Sequence, residues 1–131
     1  MIAFDYGATL RTSDGSQAHR DLVRMLNRAG VPVSVVSAIE LPRGAHEQQI
    51  LDEIADLTDS TGAHLEFAAV RFVYYPKNPK EEQIRQAGID KAVAMKKLGA
   101  SILFDDSAIV CEAVRSVGLL AINHRPERPV R

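Results

Sequence analysis

Apolar and polar positions follow two rhythms along this chain. Short apolar runs, MIAFD at 1–5, VPVSVVS at 31–37, HLEFAAVRFVYYP at 64–76, ASILFDDS at 100–107 and LLAIN at 119–123, have the length and β-branched content of buried strands. Between them apolar residues recur every three or four positions, the period of an amphipathic helix. The stretch 16–30 predicts a helix with Leu22, Met25, Leu26 and Ala29 inward and Gly30 as its stop. The stretch 44–62 predicts a second, with Ile50, Ile54 and Leu57 as its stripe. Residues 78–99 read as helical pieces broken near Gly88, with Ile89, Val93 and Met95 or Leu98 inward, and 108–118 reads as a final helix. Strands alternating with helices predict βαβ units and an open, doubly wound parallel sheet.

Composition narrows the class without naming a chemistry. With 131 residues, 46% hydrophobic and 25% charged, the chain is expected to form one globular domain that buries roughly two thirds of its unfolded surface without disulfides or a structural metal. Its one cysteine, Cys111, has no partner in the chain and fits a reducing compartment. A formal net charge of -1 exerts no global pull toward nucleic acid or anionic membrane. No apolar run approaches the roughly 18 residues of a membrane helix, and no basic leader with an apolar core opens the sequence, so a cytoplasmic protein with no membrane partner is expected. The organisation expected is a domain over 1–124 and a basic C-terminal tail over 125–131.

In doubly wound sheets, ligands bind beyond the carboxyl ends of the strands. Asp5, Ser37, Tyr74, Tyr75, Asp105 and Asp106 stand where the apolar runs stop. Adjacent carboxylates after a segment as apolar as SILF need neutralising, and a hard divalent cation does this with oxygen ligands. The competing reading of Asp105 and Asp106 is a cap for the helix that follows, a role Ser107 could fill alone. For Asp5 the competing reading is a turn-starting aspartate. Tyr74, Tyr75, Lys77 and Lys80 could meet a base and a phosphate, or form a strand end and a solvated helix start. His19, His46, His64 and His124 lack ligand spacing and are expected at the surface, and Cys111 is expected to be buried.

As a set, FDYGATL, VSVVS, the lysine in IDKAVAMKKLG, and ILFDDS resemble the four motifs of the haloacid dehalogenase-like superfamily, in matching order and over nearly the whole chain. The resemblance implies a Mg²⁺-dependent phosphohydrolase or phosphotransferase acting on a phosphorylated substrate. Asp5 would be the nucleophile that forms an aspartyl-phosphate, Ser37 the phosphoryl-binding hydroxyl, and Lys91 the charge-offsetting lysine, with Lys96 and Lys97 as alternatives. Asp5, the Gly7 carbonyl and Asp106 would hold Mg²⁺, with Asp105 beside them. The fold implied is α/β, a Rossmann-like doubly wound three-layer sandwich with a five-stranded parallel sheet in the order 3-2-1-4-5 and no cap domain. A capless site fits a macromolecular substrate or closure by another subunit, including a homo-oligomer.

The chain departs from that pattern at Gly7, where the family's phosphatases carry a second aspartate as general acid/base. Losing such a group typically costs about 10²–10⁴-fold in rate. Turnover is therefore expected to be impaired or specialised, with Asp14 in the nearby DGS turn as a substitute acid. The alternative is a catalytically inactive relative that binds a phosphate ligand or serves in assembly. Phosphonate cleavage, a third reading, lacks the cap that carries its lysine in that family.

Overall fold

The computed structural model describes residues 1–41 and 45–125. Its elements follow in the order β1 (Ile2–Phe4), α1 (Gln17–Arg28), β2 (Val33–Glu40), α2 (Ala45–Ala55), β3 (Ala69–Tyr75), α3 (Glu81–Leu98), β4 (Ile102–Asp105), α4 (Ala108–Ser116) and β5 (Leu120–Asn123). The five strands form one parallel sheet in the order β3-β2-β1-β4-β5. This is the doubly wound, Rossmann-like α/β sandwich expected from the alternation. Among the described residues no folded unit is inserted between β1 and α1 or between β3 and α3. The tail beyond Arg125 lies outside the described residues.

Alternation along each strand divides the core into two layers. Phe4, Val33, Val35 and Ile39 face Val23 of α1 and Ile50 and Ile54 of α2. Ala3, Val36, Leu103 and Ala121 face Ala92 and Met95 of α3 and Val110, Cys111 and Val114 of α4. Phe4 and Phe104, neighbours across β1 and β4, stack with ring centroids 4.7 Å apart.

Four local expectations are corrected. Helix α1 turns Val23 and Arg20 inward, with Leu22 and Leu26 only partly covered, while Met25 is 66% exposed. The buried Arg20 guanidinium donates to the carbonyls of Leu10 and Arg11, so a cation occupies a position that hydrophobicity alone assigns to an apolar residue. Helix α3 runs unbroken through Gly88 and leaves Val93 48% exposed. A Cβ built at Gly88 would lie 2.7 Å from Ala113 Cβ and 3.1 Å from Val110 Cα, so the glycine admits close approach of α3 to α4. Strand β2 continues three residues past Ser37 to Glu40, which places Ser37 inside the strand. His46 and His64 are exposed as expected, but His19 and His124 are half-buried, their ring centroids 4.3 Å apart.

Candidate functional site

Strand order reverses at β1, and an open sheet leaves room for a ligand at the carboxyl ends of the strands that flank such a reversal. Register then brings two carboxylates together. Phe4 pairs with Phe104, and the Asp5 N–H donates to the Phe104 carbonyl at 2.9 Å, so Asp5 and Asp105 follow as neighbours on adjoining strands. Alternation turns both side chains away from the phenyl rings and toward α3 and α4.

Like charges side by side on a sheet repel. Lys91, in the third turn of α3 and 1% exposed, answers this pair: its Nζ donates to Asp105 Oδ2 at 2.7 Å and to Asp5 Oδ1 at 2.9 Å. Ser37 Oγ donates to the same Asp5 oxygen at 3.3 Å, and the Ser107 N–H donates to Asp105 Oδ1 at 2.9 Å. Both oxygens of Asp105 are thereby engaged. Asp5 Oδ2 accepts no hydrogen bond among the described residues. Asp106 joins them at the opening of the cleft, and one carboxylate oxygen from each of the three aspartates lies within 4.8 Å of the others. The cap for α4 is Ser107, whose Oγ accepts the Val110 N–H, so capping does not require either aspartate.

Burial and neighbouring charges shift both Asp5 and Lys91. Burial is the largest influence on Asp5 and raises its pKa; Lys91 opposes it, Asp105 and Asp106 add to it, and the carboxyl is pushed up to about 7. For Lys91, burial pulls the pKa down, but Asp105 and Asp5 together outweigh it and carry the ammonium above its ordinary range. The lysine is therefore a fixed cation shared by two carboxylates, and Asp5, held at the longer distance, is the carboxylate left short of positive charge.

The turn after β1 forms one rim. The Tyr6 carbonyl accepts the N–H groups of Thr9, Leu10 and Arg11, and Ala8 sits at φ 58°, a left-handed conformation that costs a non-glycine residue roughly 1 kcal/mol. The Ala8 N–H donates to Asp14 Oδ1 at 3.0 Å, so Asp14 lines the cleft while bracing this turn. A Cβ built at Gly7 would meet nothing within 4 Å, so a larger residue has room there.

The structure brings Asp5, Ser37, Lys91, Asp105 and Asp106 into one cleft of about 320 Å³, with Gly7 on its lining. Lys96 and Lys97 are exposed and lie apart from it, as do Lys77 and Lys80. Tyr75 lines the cleft, whereas Tyr74 donates its hydroxyl to Glu47 at 3.2 Å. Sequence reasoning missed the apolar wall made by Pro79, Ile84, Ala87 and Val110. Its signal was available, since Ile84, Ala87 and Lys91 stand at i, i+3 and i+7 on one helical face. Also missed was the contact of His124 Nε2 with Thr9 Oγ1 at 2.8 Å, which ties the turn after β1 to the end of β5.

No family model matches the chain, and no curated protein matches it. Among solved structures, it is similar to a protein from the universal stress protein family from Burkholderia pseudomallei, at 15% identity over 92% of each chain and a TM-score of 0.48. A likeness of this size carries no function across.

These findings overturn the resemblance to the haloacid dehalogenase-like superfamily. No family model supports it, and no curated protein does. The physical reason is that any doubly wound sheet gathers its strand-end residues at one crevice, so short motifs at those ends recur across families with unrelated chemistry. The phosphohydrolase or phosphotransferase reading, its aspartyl-phosphate on Asp5, the inactive relative within that superfamily, and the hydrolase assignment fall with it.

Proposed function

We propose that the cleft binds a divalent cation of the Mg²⁺ class together with a phosphate-bearing ligand, and that the protein acts as a cation-dependent binding module. One observation carries this reading: among the described residues the buried Asp5 keeps a carboxylate oxygen without a hydrogen bond, beside Asp105 and Asp106 at ligand spacing. The donors are hard oxygens, and Mg²⁺ characteristically takes one or two carboxylates, keeps several waters and accepts phosphate oxygens in the remaining positions. Asp5 and Asp106 supply the carboxylates, the Gly7 carbonyl a further oxygen, and Asp105 holds Lys91 in place. Cys111 as a lone buried thiol fits a reducing, cytoplasmic setting.

Thermal unfolding tests the reading. A cation at about 100 times its Kd stabilises the fold by about 2.7 kcal/mol, so Mg²⁺ should raise the Tm of the wild type by several degrees and leave Asp5→Asn unmoved. Equal shifts in both proteins would show that Mg²⁺ acts elsewhere.

A further inference from the structure

The cleft has two unlike halves. Asp5, Lys91 and Asp105 make part of its lining charged; Tyr75, Pro79, Ile84, Ala87 and Val110 make another part largely apolar. Depth is graded along one face of α3: Lys91 is 1% exposed, Ala87 is 2% exposed, and Ile84 is half-buried. At 1.5 Å per residue these positions span about 10 Å along the helix. Gly88 lets α4 pack against this part of α3, bringing Val110 to the same wall. Tyr75 and Pro79 line the same cleft from the segment that joins β3 to α3.

A free inorganic anion would fill only the charged half and leave the apolar wall wet. We infer that the ligand is an organic phosphate ester with an apolar or aromatic body, its phosphate at the carboxylate end and its body along Ala87 and Ile84 beside Tyr75. The inference rests on the cation-dependent reading above and adds the class of molecule that the site selects. The phosphate meets the cation, while the body displaces water from the apolar wall. Tyr75 offers an aromatic face to a planar body.

The test compares phenyl phosphate with methyl phosphate by calorimetry, both in saturating Mg²⁺, on the full chain. Phenyl phosphate should bind at least about tenfold more tightly, the scale of discrimination an apolar pocket provides. Ile84→Ser should shrink the ratio of the two affinities severalfold, and Tyr75→Ala should do the same. Because the readout is a ratio, a general loss of fold does not imitate it. Equal affinities in the wild type, or a ratio unchanged by both substitutions, overturn the inference and leave the cation reading standing. Binding of Mg²⁺ without either ester overturns the inference together with the phosphate part of the reading beneath it. Failure of Mg²⁺ itself to bind overturns the whole of that reading.

Discussion

Lys91 Nζ stands 2.9 Å from Asp5 Oδ1, joining residues 86 positions apart in the chain, and the same ammonium donates to Asp105. Removing the lysine would strand two buried carboxylates with no cation between them. Lys91→Met should therefore destabilise the metal-free protein by roughly 3–5 kcal/mol at neutral pH, as measured by urea denaturation. The loss should shrink toward acid pH, where the carboxylates take up protons.

Asp5 gives the pH dependence a definite sign. Its carboxyl is pushed up to about 7 in the folded protein from an ordinary value of 3.8. Between those values the unfolded chain has released a proton that the folded chain still holds, so this group makes stability fall as pH rises from about 4 to about 7. Above that window its contribution is flat. Asp5→Asn should abolish this slope and be more stable than the wild type at pH 8 without metal. Unfolding curves across pH check it.

On the proposed cation-dependent reading, proton and cation compete for the Asp5 carboxylate. Apparent Mg²⁺ affinity should rise with pH up to about 7 and level off above, falling by about tenfold for each unit below. Calorimetry in two buffers of different ionisation heat should detect proton release on binding at pH 6 and little at pH 8.

Gly7 has room for a side chain and lies on the cleft. Gly7→Asp adds a further carboxylate beside the cluster. It should tighten Mg²⁺ binding roughly tenfold through the added ligand charge, and lower the stability of the metal-free protein. A titration of both proteins reads the first effect, and denaturation without metal reads the second.

Gly88→Ala tests the seating of α3 against α4. The new methyl would overlap Ala113 Cβ, which lies 2.7 Å from its position, so the helices must part. Overpacking of this kind costs about 1–3 kcal/mol, measurable as a fall in Tm. Ligand affinity should fall as well, because Lys91 lies one turn beyond Gly88.

The strands were legible because buried parallel strands are short apolar runs whose ends are marked by polar residues, whereas their order came with the family resemblance alone. The convergence of Asp5, Asp105 and Asp106 was legible from the same source, since topology alone assigns strand ends to one crevice, whereas Lys91, inside α3, was singled out only by the family resemblance. Gly88 was misread because a glycine inside a helical pattern has the same local signature whether it breaks the helix or admits a neighbour. Only the position of Val110 and Ala113 distinguishes the two. Ser37 was taken for a strand end because a hydroxyl interrupts the apolar run, although Ala38 and Ile39 continue the strand. Family was the least legible of all, because short motifs at strand ends report the crevice of the sheet before they report its chemistry.

Titration of Mg²⁺ by calorimetry at pH 8, with wild type beside Asp5→Asn and Asp106→Asn, tests the central claim most directly. The account predicts one ion per wild-type chain and a large loss of affinity in both variants. Absence of binding to the wild type at millimolar Mg²⁺, or binding that both variants retain unchanged, would contradict it.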